Sequence, residues 1–338
     1  MNTTAFGIDL AKRVFQIHWV DTETGEIGRR QLKRAQLNGF FANRAPAVIV
    51  TEACGSAHYW ARQLISLGHD VRLIAPQFVR PFVKRNKTDA ADAQAIWEAA
   101  QRPEMRFAAV KSKAQQSVLT LHRVREQLVK VRTMQINQIY GLLYEFGAAV
   151  SANRHSLSEA AQALTRLADT VPAVVIDTLR EQLRRIDVLT QDIVEIERRL
   201  AAWQRGNEAT RRLMAIPGVG LLSASAAVAT IGDGRTFRCA REFAAFLGLV
   251  PRQSGTGGRV KLLGISKRGD VYLRTLLIHG ARAVLACSKH LNETLQRLLA
   301  RRPFNVAVVA LANKNARTIW ALLAHDRVYQ PDHTAHAA

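Results

Sequence analysis

Apolar residues in the first hundred positions fall in short runs separated by polar turns. Phe6-Gly7-Ile8-Asp9-Leu10-Ala11 predicts a strand with an acid inside it, and Val14-Phe15-Gln16-Ile17-His18-Trp19-Val20 predicts a second strand. Residues 26–32 predict a third strand, at an edge. Helix is expected over residues 35–43, a buried strand over 47–50, helix over 56–67, and a strand over 70–75 ending at Pro76. Three antiparallel strands followed by βαβ units predict an α/β RNase H-like fold for residues 1–112.

The pattern changes after residue 112. Leu121, Val124, Leu128 and Val131 are spaced as a heptad seam, and Leu179, Leu183, Ile186, Leu189, Ile193, Ile196 and Leu200 form a longer one. Residues 113–205 therefore predict a helical arm of two long helices, an antiparallel hairpin or coiled coil. Residues 147–172 are read as a polar, weakly helical connection. Such an arm serves equally as a spacer or as a dimerisation element. Residues 206–338 predict a mainly α-helical third part.

Charge narrows the partner class. Lys and Arg number 48 against 27 Asp and Glu, a formal net charge of +21, and the chain is 48% hydrophobic. A chain this basic attracts polyanions, and this much apolar residue excludes a merely disordered basic tail. Residues 206–338 alone hold 19 Lys and Arg against 7 Asp and Glu. No apolar run is long enough for a membrane span, and no signal-peptide pattern opens the chain. Cys54, Cys239 and Cys287 are few and scattered, which fits neither a zinc motif nor a disulfide framework and suits a reducing cytoplasm.

Four acids are candidates for chemistry. In Lys87-Thr88-Asp89-Ala90-Ala91-Asp92-Ala93, Asp89 and Asp92 are three apart just inside an expected helix start, so their carboxylates share a face. Asp9 lies in the first strand, and Glu52 closes the Val48 strand, where α/β sheets open their ligand crevice. Together they offer an oxygen cage suited to Mg²⁺ or Mn²⁺. Taken singly, Asp9 and Glu52 also read as turn or cap residues, and Asp89 as an acid favoured by the helix dipole.

Two features of the third part point to phosphate. Ile216-Pro217-Gly218-Val219-Gly220 before Leu221 has the shape of a helix-hairpin-helix turn, with Gly218 and Gly220 candidates for backbone contact with a phosphate. A helix–turn–helix without a ligand has the same pattern. Pro251-Arg252-Gln253-Ser254-Gly255-Thr256-Gly257-Gly258-Arg259-Val260-Lys261 is read as a Gly-rich loop between apolar helices. With Arg252, Gly255, Arg259, Lys261, Lys267, Arg268 and Arg274 it forms a phosphate-handling set. On chemistry alone Ser254 is no better a nucleophile than Thr256, and the loop serves equally to grip a backbone.

In this order the motifs GID (Asp9), TEACG (Glu52), KTDAADA (Asp89, Asp92), IPGVG, FAAFLGLVPRQSGTGG and SKRGDVYLR resemble those of the DEDD transposases of the insertion-sequence one-ten family, in its one-one-one-one branch. The resemblance spans nearly the whole chain. It implies a RuvC-like N-terminal domain, a coiled-coil arm and a C-terminal transposase domain with a nucleophilic serine. It assigns the four family acids to Asp9, Glu52, Asp89 and Asp92, and the serine to Ser254. Gln253 departs from an acid found before the serine in some members. The resemblance also implies DNA recombination guided by a bridge RNA made from the element's own ends. A homo-oligomer, a tetramer of paired dimers, is expected, with acids and serine meeting from different protomers. Two other readings compete: a RuvC-like, metal-dependent junction resolvase whose serine only touches phosphate, and a non-catalytic nucleic-acid-binding protein with a relict acid cluster.

Overall fold

The computed structural model describes residues 4–83, 88–151, 156–232, 234–288 and 291–331. Lys87 of the acidic motif and the tail from Asp332 lie outside the described residues. The chain divides into two compact units, Met1–Ala114 with Asp233–Arg238, and Gln115–Gly232 with Cys239–Ala338.

The first unit is built on strands β1 (Ala5–Leu10), β2 (Val14–Val20) and β3 (Ile27–Lys33), helix α1 (Leu37–Ala42), β4 (Val48–Glu52), α2 (Ala57–Ser66), β5 (Asp70–Ile74), the short α3 (Pro76–Val79), α4 (Asp89–Ala100) and the two-residue β6 (Phe107–Ala108). The sheet order is β3-β2-β1-β4-β5-β6. β1 to β3 are antiparallel neighbours, and β4 and β5 run parallel to β1. This mixed sheet is compatible with an RNase H-like domain. The antiparallel edge strand β6 is an addition to the sequence reading; two residues carry too little periodicity to announce a strand.

Strand alternation sorts the sheet into two faces. Phe6, Ile8 and Leu10 with Phe15, Ile17, Leu32 and Ile49 form one face, packed with Leu37 and Phe41 of α1 and Trp60 and Leu64 of α2. The other face carries Val50 and Ile74, which are covered by Ala95, Ile96 and Ala99 of α4. Gly7, Asp9, Gln16 and His18 also belong to this second face by register.

The second unit holds α5 (Lys113–Glu145, entering from the first unit), α6 (Ser156–Arg166), α7 (Ala173–Arg205), α8 (Glu208–Leu213), α9 (Leu221–Ile231), α10 (Ala240–Phe246), strands β7 (Pro251–Thr256) and β8 (Arg259–Ile265), α11 (Val271–Cys287), α12 (Glu293–Arg301) and α13 (Phe304–Ala324). On α5, Arg125 Nε donates to Glu197 of α7 at 2.7 Å, and Arg132 Nη1 donates to Thr190 at 3.4 Å. Seven residues forward on one helix are seven back on the other, so the pair is antiparallel. The seam is less dry than expected. Val124 is exposed, while Ile139 and Leu143 pack with Ile176, Leu179 and Ile186. The connection expected to be weakly helical contains α6, whose Ala160, Ala163 and Leu164 join that same cluster.

Candidate active site

Helix α4 begins where Thr88, in extended conformation, accepts the Ala91 N–H on its hydroxyl at 3.3 Å. This cap places Asp89 and Asp92 in the first turn. The helix then lies directly on β1, because Gly7 has no side chain to hold it off. A Cβ at Gly7 would stand 2.5 Å from the Ala93 carbonyl oxygen and 2.7 Å from the Trp97 nitrogen. Trp97 Nε1 donates to the Ala5 carbonyl at 3.0 Å and pins the other end of the contact. Asp92 precedes Ala93 and Asp9 follows Gly7 by two, so the contact draws the two acids together.

One carboxylate oxygen from each of Asp9, Asp89 and Asp92 lies within 4.8 Å of the other two. Asp89 is exposed; Asp9 and Asp92 are half-buried. Three hard oxygen donors with room for water suit Mg²⁺, which takes bonds of about 2.0–2.1 Å and keeps several waters.

Glu52 does not enter this group of three. Gly7 pairs with Val50, so two residues further along each strand Asp9 and Glu52 occupy the same face. The strand spacing of about 4.8 Å puts Glu52 at the flank of the triad. Both acids act on Cys54: burial first, then the Glu52 and Asp9 charges, push its thiol above the ordinary range.

In the second unit, the expected Gly-rich loop is a two-stranded β-hairpin. Thr256 pairs with Arg259 across Gly257-Gly258, whose φ angles of +57° and +78° suit a tight mirror-image turn that glycine adopts without strain. Gly-Gly between Arg-Gln-Ser-Gly-Thr and Arg-Val-Lys-Leu-Leu was the available signal. The run was masked as a strand pair because nearly all of it is exposed, so no buried face marks the alternation.

Register gives the hairpin two faces. Ser254 sits opposite Lys261 and Thr256 opposite Arg259, while Gly255 sits opposite Val260 and Gln253 opposite Leu262. Directly opposed residues share a face. Ser254, Thr256, Arg259 and Lys261 therefore form a hydroxyl-and-cation face, and Val260 and Leu262 an apolar one. Gly255 is needed for packing, since a Cβ there would meet the Arg259 carbonyl at 2.0 Å.

The remaining expected phosphate contacts divide. Arg252, Lys267 and Arg268 are exposed. Arg274 is buried, and its Nη1 donates to the Leu247 and Arg268 carbonyls, both at 2.7 Å. The expectation that Arg274 faces a phosphate is thereby corrected: the guanidinium ties the hairpin's base to α11. Gly218, at φ +83°, packs against Gly280 of α11. Gly220 caps α9 with open space beside it.

Sequence reasoning passed over His122 altogether. It is buried on α5, with Nε2 3.0 Å from Ser225 Oγ and Nδ1 2.9 Å from Tyr272 Oη. Ser225 gives its own proton to the Leu221 carbonyl at 2.6 Å. The imidazole Nε2–H therefore donates to Ser225, and Nδ1 accepts from Tyr272. Burial first, then the Arg125 charge, lowers the His122 pKa to about 4.

Comparison with known proteins identifies the family of the chain. Residues 6–147 match a family model of the IS110-type DEDD transposases, described as "Transposase". Residues 210–296 match a second, described as "Transposase IS116/IS110/IS902 family". The chain is 52% identical to a probable family 20 transposase of Pseudomonas aeruginosa, over 98% of this chain and all of that one. It is 42% identical to the transposase for insertion sequence element IS1111A of Coxiella burnetii, covering 96% and 90% of the two chains. It is 40% identical to the transposase for insertion sequence element IS1328 of Yersinia enterocolitica, covering 97% and 99%.

Proposed function

Because the chain belongs to the IS110 family of insertion-sequence transposases, enzymes whose substrate is DNA, we propose that it cuts and rejoins DNA through a phosphodiester link to Ser254. The observation that carries this reading is the carboxylate triad of Asp9, Asp89 and Asp92, held at the end of β1 by the first turn of α4. A divalent cation, Mg²⁺ or Mn²⁺, bound there would neutralise charge on the phosphoryl oxygens and help activate the attacking hydroxyl. Glu52 flanks the triad as the fourth acid.

The chain's own groups carry the rest. The Ser254 hydroxyl loses its proton to solvent as its oxygen bonds to phosphorus. The bond from phosphorus to a sugar oxygen breaks, and that oxygen leaves as a protonated DNA hydroxyl. The bond energy is kept in the serine ester, so a second DNA hydroxyl reverses the step without ATP. Lys261, opposite Ser254 on the same hairpin face, would hold a phosphoryl oxygen, helped by Arg259 on that face and by Arg252 two residues before the serine. Lys267, Arg268 and the α9 start at Gly220 would hold the nucleic-acid backbone.

Each chain has one such serine, and two duplexes present four strands. A tetramer of paired dimers would match that count, and the family resemblance implies that the acids of one protomer serve the serine of another. A guide RNA from the element would choose the sites, acting in the cytoplasm. RNA guidance is what the family resemblance implies, and a chain of net charge +21 would attract such a polyanion.

The test is a denaturing gel of protein incubated with the element-derived RNA, labelled junction DNA and Mg²⁺. A DNA–protein adduct is expected for the wild type and none for Ser254→Ala. Cleaved DNA with no adduct in either sample would replace this reading with metal-dependent hydrolysis.

A further inference from the structure

The sheet face that carries Asp9 does not end at the triad. Register continues it from Asp9 to Gln16 of β2 and Gln31 of β3, and from Gly7 through His18 to Arg29. Lys33, opposite Val14, closes the row at the triad's end of β3. Helix α4 covers the β1 and β2 part of this face, with Trp97 stacked edge-on to His18 at 5.6 Å. Beyond it, Arg29, Gln31 and Lys33 are all exposed, while the opposite face of β3 buries Leu32 in the core.

β3 is an edge strand, and its outward side chains form a ladder of cation, amide and cation at about 7 Å intervals, some 13 Å from Arg29 to Lys33. Lys12 and Arg13, exposed in the turn after β1, extend the positive charge past the end of the row where Asp9 lies. The acids near this hairpin, Asp21, Glu23 and Glu26, are in its far turn, where the Asp21 carboxylate accepts the Glu23 and Thr24 N–H groups. Glu98, the other acid near His18, accepts from Gln94 on α4 at 2.8 Å. The exposed row on β3 thus carries a cation at each end, Arg29 and Lys33, and the named acids lie off it in the hairpin's far turn and on α4.

We infer that this shelf, Gln16 with Arg29, Gln31 and Lys33, is the track on which a strand of the DNA substrate lies as it enters the carboxylate triad. The inference rests on the reading of the triad as the reacting centre. Cations spaced along a strand match a repeating phosphodiester, and the glutamine amides between them offer donors to phosphate or sugar oxygens. A short edge strand that presents cations is also guarded against pairing with another sheet, so one set of side chains meets both demands.

The test is fluorescence anisotropy of labelled DNA oligonucleotides with the full-length protein in EDTA across a salt series. Arg29→Ala/Lys33→Ala should bind DNA about five- to tenfold more weakly at 0.1 M salt. Its salt slope should fall by about 1.4 on single strands, near 0.7 per lost phosphate contact. Gln31→Glu should weaken binding by a similar factor, and Arg29→Lys/Lys33→Arg should restore it. Arg198→Ala/Arg199→Ala on α7 is the charge-matched control and should leave the slope unchanged. Equal losses in both alanine doubles, or none in the shelf variants, would overturn the assignment. A loss confined to RNA oligonucleotides of the same sequence would overturn DNA as the occupant. Mn²⁺ titration of the wild type and Asp9→Asn, run in parallel, reports separately on the triad. Failure there with an intact shelf effect would sink the reacting-centre reading alone.

Discussion

Gly7→Ala tests the link between fold and site most directly. The added methyl would stand 2.5 Å from the Ala93 carbonyl and 2.7 Å from the Trp97 nitrogen, and ordinary contact begins at 3.4 Å. About 0.9 Å must be found between β1 and α4, and both obstacles are helix backbone, so the helix itself has to move. Overpacking of this kind costs about 1–3 kcal/mol, a loss of a few degrees in melting temperature for each kcal/mol. Asp92 moves with Ala93, and the oxygens now within 4.8 Å of one another spread beyond the reach of a single ion. Mn²⁺ affinity should fall about tenfold or more, as when the groups that orient metal ligands are disturbed. The assays are urea unfolding and Mn²⁺ titration followed by water-proton relaxation. Gly39→Ala, on α1 with nothing within 4 Å of the new methyl, is the control and should be neutral or stabilising by up to about 1 kcal/mol. Wild-type stability and Mn²⁺ affinity in Gly7→Ala would refute the argument that the α4–β1 contact sets the carboxylate spacing.

Three further outcomes are expected. His122 is held neutral, with its folded pKa near 4 against an unfolded value of 6.5, so the unfolded chain takes up a proton first as pH falls. Stability is full above pH 6.5 and declines towards pH 4, by at most about 3 kcal/mol; His122→Gln should flatten that slope in urea unfolding at stepped pH. Arg274→Ala leaves the Leu247 and Arg268 carbonyls without their donor and should cost about 2 kcal/mol of stability. Its salt slope for DNA binding should match the wild type; a lower slope would return Arg274 to the phosphate contacts. Mixing Asp89→Asn with Ser254→Ala chains should recover part of the strand-transfer activity absent from either alone, and no recovery would favour a site built within one chain.

The N-terminal strands were legible because the sheet is packed on both faces over β1, β4 and β5, and burial imprints a pattern on sequence. The long helices were legible for the same reason, through the Ile186–Leu200 seam. Where burial is absent the imprint fades. The serine hairpin has no dry face, so its strands read as a loop, and only Gly257-Gly258 marked the turn. Helix α6 buries only Ala160, Ala163 and Leu164, too short a stripe to stand out from a polar connection.

By itself, then, the sequence determined the local conformations: extended runs with an acid inside, a capped helix start with two acids on one face, a cationic third part. Tertiary structure decided which of these groups meet. Gly7 reads as an ordinary strand residue until α4 is seen lying on it, and only that contact joins Asp9 to Asp92. Glu52 and Asp9 look equivalent in sequence, yet strand spacing sets one in the carboxylate group and the other at its side. Arg274 and Arg268 carry the same charge six residues apart, but one is turned into the interior and the other to solvent. Propensity and periodicity depend on neighbours along the chain, whereas spacing between carboxylates and the burial of a cation depend on segments brought together from far apart in it.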